Sequence, residues 1–289
     1  MKKIRELLKQ IPILRKVVIL VNNNISKFMD NDSYYNIRIR LEKLDKKNSN
    51  ERKELKPLHK KLNSLRREQS TNWNSMIYCD GYFYQGYNRI GISGIKPTEH
   101  RIQSYEINKY LTKKQSVLDI GSNSGFLACY ISDFVKDVDG IELNPYLNEM
   151  GKETSKFLKI SNTDFIEGDF INHTFTKKYE IIFSLSNHFT IDGNLNIGFE
   201  LYIQKIFNVM NNDGILFFES HDIKGDDNDL DLKFQIASKY FDLVEHKMVK
   251  AFYPADIDKL FAVFKKLDNP GEIQKNKFNL NKAKMKYKY

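Results

Sequence analysis

Apolar positions fall into three successive rhythms along this chain of 289 residues. In the first, Ile4, Leu7, Leu8, Ile11, Leu14, Val18 and Val21 keep helical spacing and predict an amphipathic helix over residues 2–29, kinked or restarted at Pro12. Next, Tyr34, Ile37, Leu41, Leu44, Leu55, Leu58, Leu62 and Leu65 step by threes and fours through residues 33–69, with Asn48 and Glu51 the polar members of the register. That heptad pattern predicts a coiled coil or a helical hairpin. Asn48-Ser49-Asn50 is a good turn and Pro57 opposes one unbroken rod, so two helices joined near residues 48–50 are expected.

Periodicity then lapses. Residues 71–97 are aromatic and glycine-rich, with Trp73, Tyr78, Tyr82, Phe83, Tyr84 and Tyr87 among Gly81, Gly86, Gly91 and Gly94. They read as a structured lead-in, followed by a helix over residues 98–111 with Thr98 as its N-cap. From residue 116 the third rhythm begins, and short apolar runs alternate with helical stretches. Strands are expected at 116–120, 138–142, 163–167, 180–185, 214–219, 242–250 and 258–266, and helices near 125–135, 145–159, 195–211 and 230–240. This alternation implies an α/β fold with a doubly wound sheet.

The chemistry starts where the first of those strands ends. In Ser116-Val117-Leu118-Asp119-Ile120-Gly121-Ser122-Asn123-Ser124-Gly125-Phe126 an apolar run meets an acid, then two glycines, then a helical pattern. A strand turning sharply into a helix, with bare backbone at the turn, suits a nucleotide-like ligand. Glu142 closes the next strand, where such folds place a carboxylate for ribose hydroxyls.

These features resemble the first motif and the following acid of the class I S-adenosylmethionine-dependent methyltransferases, over roughly residues 97–266. The family pattern is acid-x-Gly-x-Gly-x-Gly; this chain has Asn123 at the middle glycine, and Asn tolerates a left-handed backbone better than most residues. The resemblance implies a Rossmann-like seven-stranded sheet with a terminal antiparallel strand pair, joined here through Tyr253-Pro254-Ala255-Asp256 and preceded by the α-helical N-terminal region. It implies S-adenosylmethionine as cofactor. Asp119 would meet its amino group, Gly121, Asn123 and Gly125 would line the bend, and Glu142 with Leu143 would hold the ribose. Asp169 would meet the adenine amino group, Phe170 would pack on the ring, Ser186 would stand at the substrate-facing strand end, and Arg101 would reach the cofactor's carboxylate. Tyr84, Gln85 and Arg89 lie in a segment that in related enzymes folds over the cofactor.

The fourth strand ends Ser184-Leu185-Ser186-Asn187-His188-Phe189-Thr190, without the two prolines of many amino-methylating relatives. His188 is therefore a candidate base toward an acceptor hydroxyl, and Glu219 and His221, at the end of the fifth strand, could bind acceptor hydroxyls or supply the base. No metal centre is expected, since no second histidine lies at ligand spacing on a helix. Asp226, Asp227, Asp229 and Asp231 read as a solvated acidic turn.

Charge adds partners to this picture. Residues 1–70 carry a net +11 and residues 272–289 a net +5, while residues 71–271 sum to −7. Basic ends around a mildly acidic body suit a polyanionic surface or simply solubility. The basic helix over 2–29 would lie on anionic lipid at the inner face of a membrane or dock on the body, and residues 33–69 would support a homo-oligomer. Two cysteines, Cys79 and Cys129, give no disulfide framework, which with the absence of a signal-peptide pattern points to the cytoplasm. The expected organisation is a basic helical appendage at 1–70, the lead-in at 71–97, a methyltransferase domain at 98–268 and a basic tail at 269–289. The expected reaction is O-methylation of a sugar, glycan intermediate or other small-molecule hydroxyl. RNA is the less favoured acceptor, because no basic stripe leads into the cleft; a non-catalytic oligomeric scaffold is the remaining alternative.

Overall fold

A computed structural model describes residues 34–73, 81–188, 198–223, 225, 227–250, 252, 258–274 and 278–286. The helix expected over 2–29 and the Tyr253–Asp256 connection lie outside the described residues. Two helices, α1 (Tyr34–Glu51) and α2 (Lys56–Asn72), are followed by two short parallel strands, β1 (Gln85–Gly86) and β2 (Lys96–Pro97), and by α3 (Thr98–Tyr105). The body then runs β3 (Ser116–Ile120), α4 (Phe126–Ile131), β4 (Asp137–Glu142), α5 (Pro145–Leu158), β5 (Thr163–Glu167), β6 (Tyr179–Leu185), α6 (Phe199–Val209) and β7 (Met210–Glu219). It closes with α7 (Leu230–Ala237), β8 (Phe241–Val249), β9 (Lys259–Lys266) and α8 (Leu280–Lys286).

The seven strands β3–β9 form one sheet in the order β5-β4-β3-β6-β7-β9-β8. The first five are mutually parallel, whereas β9 is antiparallel to both β7 and β8. All five residues of β3 are buried because helices cover both faces of the sheet, so its apolar run is continuous rather than alternating. Neighbours along a strand serve opposite cores. Val117, Phe183 and Phe217 join the cluster that also holds Ile37, Leu58 and Leu62. Leu118, Ile182 and Phe218 join the cluster with Tyr202 and Phe234.

Three expectations are corrected. The break between α1 and α2 falls at Arg52, not at 48–50; Asn48 stays helical and donates its side-chain amide to the carbonyl of Gly91. Most of the heptad face is spent within the chain: Ile37, Leu41, Leu55, Leu58, Leu62 and Leu65 are buried, and α2 lies along α5. Of the apolar members of that register whose burial is described, only Leu44, 44 % exposed, is left on the surface. The helix expected over 98–111 ends at Tyr105, because Glu106 turns left-handed at φ 54°, and resumes as a single tight turn over Ile107–Tyr110. Thr98 does not cap it; Pro97 holds the N-cap position and Thr98 is a buried first-turn residue.

The glycines of the lead-in have a packing reason. A Cβ on Gly86 would lie 1.8 Å from the Ser93 carbonyl oxygen, and one on Gly94 would lie 2.1 Å from the Gly86 nitrogen. Only bare backbone permits the two arms of this loop to cross so closely.

Candidate active site

The bend between β3 and α4 takes three left-handed residues, Gly121 (φ 64°), Asn123 (φ 54°) and Gly125 (φ 69°). Gly125 cannot carry a side chain: its Cβ would sit 2.4 Å from the Phe165 ring and 2.7 Å from the Gly151 Cα, so the glycine lets α4 pack against α5 and β5. Asn123 occupies the middle-glycine position in the conformation Asn tolerates. Its Oδ1 accepts from the Ser124 N–H at 2.9 Å, which ties down the next residue. Gly121 is backed by Asn187, whose side chain donates to the Ile120 carbonyl and accepts from Ser184 and Tyr202, each at 2.8 Å.

Carboxylates flank this bend. Glu142, the last residue of β4, accepts the Asn123 N–H on Oε2 and the Asn144 N–H on Oε1, both at 2.9 Å. A carboxylate can accept from more than two donors, so the same group can also take a ribose diol. Leu143 follows it, half-buried, and Asn144 caps α5 by accepting from Tyr146 and Leu147. Asp119, one residue before the end of β3, is 2 % exposed, and its Oδ2 has no hydrogen-bond partner. Burial pushes its carboxyl up to about 7; the charge of Arg101 opposes this and that of Glu142 adds to it. An orphaned carboxyl oxygen buried at a strand tip is costly unless a ligand supplies the donor. The amino group of S-adenosylmethionine is such a donor, so Asp119 and Glu142 together fit the amino group and the ribose of that molecule. A small cavity bounded by Asn123, Ser124, Leu147, Met150, Tyr84 and Arg66 adjoins the bend.

The third strand tip carries a half-exposed carboxylate. Asp169 accepts from the Ile171 N–H at 2.9 Å and from Asn172 Nδ2 at 2.5 Å, closing its own loop. Phe170 is buried against Phe175 and Tyr202, with ring centroids 5.7 and 5.6 Å away.

Arg101 and Glu219 are paired with each other in a buried ion pair. Arg101 donates through Nε (3.1 Å) and Nη2 (2.7 Å) to Oε2 of Glu219, and the Tyr105 hydroxyl meets the same oxygen. On the other oxygen lie Ser186 Oγ at 2.5 Å and Lys259 Nζ at 3.4 Å. Burial would raise the Glu219 pKa, but the charges of Arg101, Lys259 and Lys96 and the Ser186 hydroxyl outweigh it and hold the carboxyl well below the usual range. Both oxygens of this buried carboxylate are thus occupied by donors from the chain itself. Ser186, at φ 61°, is locked to it and to Lys259. Lys259 and Tyr105 were not singled out in the sequence, although Arg101 and Tyr105 share one helix face by their four-residue spacing.

The acidic loop is also corrected. Asp227 is fully buried and not solvated: His188 Nε2 lies 3.0 Å from its Oδ1, Lys233 pairs with the same oxygen, and the His221 N–H donates to Oδ2. Burial works against its ionisation, but the contacts with His188 and Lys233 hold it well below the ordinary Asp value. The imidazole of His188 is flanked by Phe218, tilted at 4.7 Å, and Phe199, edge-on at 5.8 Å. His221 reaches this cluster through its backbone N–H. Among the described residues no group of three or more His, Cys, Asp or Glu could hold a metal ion.

Strand order, antiparallel β9, glycine bend and paired acids give the chain the fold of the class I S-adenosylmethionine-dependent methyltransferases. The family model of protein-L-isoaspartate(D-aspartate) O-methyltransferase matches residues 42–182. Among solved structures, the N-methyltransferase NodS of Bradyrhizobium japonicum WM9, in complex with S-adenosyl-L-homocysteine, aligns with a TM-score of 0.50 at 15 % identity, covering 59 % of this chain and 87 % of its own. That likeness is one of fold. A putative class I methyltransferase of Listeria monocytogenes aligns at 0.48 and 14 % identity, covering 63 % of each chain. A curated relative, an uncharacterized protein of Methanocaldococcus jannaschii, is 32 % identical over 76 residues, 26 % of this chain. The chain thus spans less than a third (29 %) of the length of that relative. Among the described residues no helix is long and apolar enough to cross a membrane.

Proposed function

We propose that the chain transfers a methyl group from S-adenosylmethionine to an oxygen of a small-molecule acceptor, a sugar or other hydroxyl compound, with His188 as the proton acceptor. The observation that carries this reading is the His188–Asp227 pair at the end of β6, 3.0 Å apart. A buried carboxylate on one imidazole nitrogen fixes the ring and stabilises the imidazolium, the arrangement a general base needs. Lys233 and the His221 N–H keep Asp227 ionised and in place. The absence of the proline pair after β6 and the match to a family model named for an O-methyltransferase both support oxygen over nitrogen.

The cofactor, when bound, supplies a methyl group on a sulfonium cation that an oxygen lone pair can displace. Asp119 and Glu142 bind and orient it; the bend at Gly121–Gly125 permits close approach of backbone; His188 takes the acceptor proton, and the resulting imidazolium is held by Asp227. Most of the rate enhancement on this reading comes from positioning.

The test uses S-adenosylmethionine labelled at the methyl carbon, incubated with the protein and cell extract. Label in a nuclease-resistant, alkali-stable small-molecule fraction, lowered about a hundredfold or more by His188→Gln with cofactor affinity unchanged, is the expected result. Nuclease-sensitive label would make RNA the acceptor, alkali-labile label would make it a carboxylate, and undiminished transfer by His188→Gln would remove the base.

A further inference from the structure

The glycine bend is gripped from outside the sheet. Gln85, 4 % exposed, donates from Nε2 to the Ser122 carbonyl at 3.1 Å and accepts on Oε1 from the Phe126 and Leu127 N–H groups at 2.9 and 3.4 Å. The latter two belong to the first turn of α4, whose N–H groups have no partner within the helix, and no side chain of the N-cap residue Gly125 can serve them.

The Ser122 carbonyl and the Asn123 N–H belong to one planar peptide unit and point in opposite directions. Gln85 holds the carbonyl end, and Glu142 Oε2 holds the N–H end at 2.9 Å. A single peptide plane is therefore clamped between the lead-in loop and the carboxylate at the tip of β4. If the plane turned over, a carbonyl oxygen would face Glu142 in place of a donor.

The loop that carries Gln85 is held by α1, by α2 and by Arg52 between them. Asp45 accepts from the Tyr82 hydroxyl at 2.5 Å and the Ser93 N–H at 2.8 Å. Asn48 donates to the Gly91 carbonyl at 3.0 Å, Arg52 donates to the carbonyls of Asn88 and Arg89, and the His59 ring lies 2.7 Å from the Ile90 carbonyl. These contacts fix the loop from its outer side while Gln85 reaches inward.

We infer that Gln85 is a positioning residue for the cofactor, setting the orientation of the Ser122–Asn123 peptide and through it the carboxylate of Glu142. The helical appendage is then the outer support of the cofactor site. This rests on the reading of the bend as a cofactor site, and it concerns binding rather than the methyl-transfer step.

The discriminating variant is Gln85→Glu. It keeps an acceptor for the first turn of α4 but sets a carboxylate oxygen against the Ser122 carbonyl, which favours the overturned peptide. Gln85→Met, of similar length and without polar atoms, removes both contacts. Affinity for S-adenosyl-L-homocysteine is measured by calorimetry on the full chain, below the melting temperature of each variant, and the Asn123 amide proton is followed by NMR. Gln85→Glu is expected to weaken binding about tenfold or more and to shift the Asn123 amide resonance upfield as its bond to Glu142 is lost, with a native melt. Gln85→Met is expected to weaken binding in the same direction. Wild-type affinity and an unmoved Asn123 resonance in a folded Gln85→Glu protein would overturn the inference alone. Failure of the wild-type chain to bind S-adenosyl-L-homocysteine would instead overturn the cofactor reading beneath it.

Discussion

Asp119 should release a proton when the cofactor binds. Its buried carboxyl, pushed up to about 7, stands about three-quarters protonated at pH 6.5 in the ligand-free chain. An α-amino group, with an ordinary pKa of about 7.7–8.0, is still largely cationic at that pH. A cation brought against the orphaned Oδ2 favours the ionised carboxylate, so binding expels the proton that Asp119 carried. The linkage fixes both sign and size. Roughly 0.75 proton should leave per site at pH 6.5, and affinity should rise about eightfold between pH 5.5 and pH 6.5 as the competing proton is lost. The assay is calorimetric titration of S-adenosyl-L-homocysteine at pH 6.5 in buffers of different ionisation enthalpy, whose slope counts the protons. Asp119→Asn should abolish the slope and flatten the affinity profile. A wild-type slope of zero, or one unchanged in Asp119→Asn, would refute the assignment of that carboxyl to the amino group.

The same carboxyl makes a stability prediction. Between the unfolded Asp value of 3.8 and the folded value of about 7 the native state holds a proton that the unfolded chain has lost, so stability falls as pH rises through that window. Asp119→Asn should therefore raise unfolding free energy by about 3–4 kcal/mol at pH 8 and by little below pH 4, read by urea denaturation. Glu219→Gln should cost about 3–5 kcal/mol in the same assay, because it leaves the buried Arg101 and Lys259 charges without their anion. Gly125→Ala should lower stability by about 2 kcal/mol or more through its clash with Phe165 and Gly151, visible as a drop in Tm. Asn123→Gly, by contrast, should leave S-adenosyl-L-homocysteine affinity nearly unchanged, because the left-handed backbone and the N–H to Glu142 both persist.

Local order was legible in the sequence and long-range pairing was not. The strands at 116–120 and 163–167 were expected with the ends they have, since each short run is bounded by turn residues. The bend at Gly121–Gly125 and the acid at Glu142 were equally plain, because both are conditions on adjacent backbone. Arg101 and Glu219 stand 118 residues apart, and His188 and Asp227 stand 39 apart. Nothing in the spacing of Asp226–Asp231 distinguishes the buried Asp227 from the exposed Asp229. The helix over 98–111 failed for a related reason: its periodicity continues through Glu106, and only a left-handed residue there interrupts it. Asn48 shows the reverse, a turn-forming residue kept helical by a tertiary hydrogen bond to Gly91.

The central claim is that the bend at Gly121–Gly125 and the carboxylates of Asp119 and Glu142 form one cofactor pocket. Equilibrium dialysis of radiolabelled S-adenosylmethionine against the wild-type chain and against Glu142→Ala tests it most directly. The account expects one site per wild-type chain and at least a tenfold loss of affinity in a folded Glu142→Ala protein. A folded wild-type chain that retains no label, or a Glu142→Ala protein that binds as tightly, would contradict it.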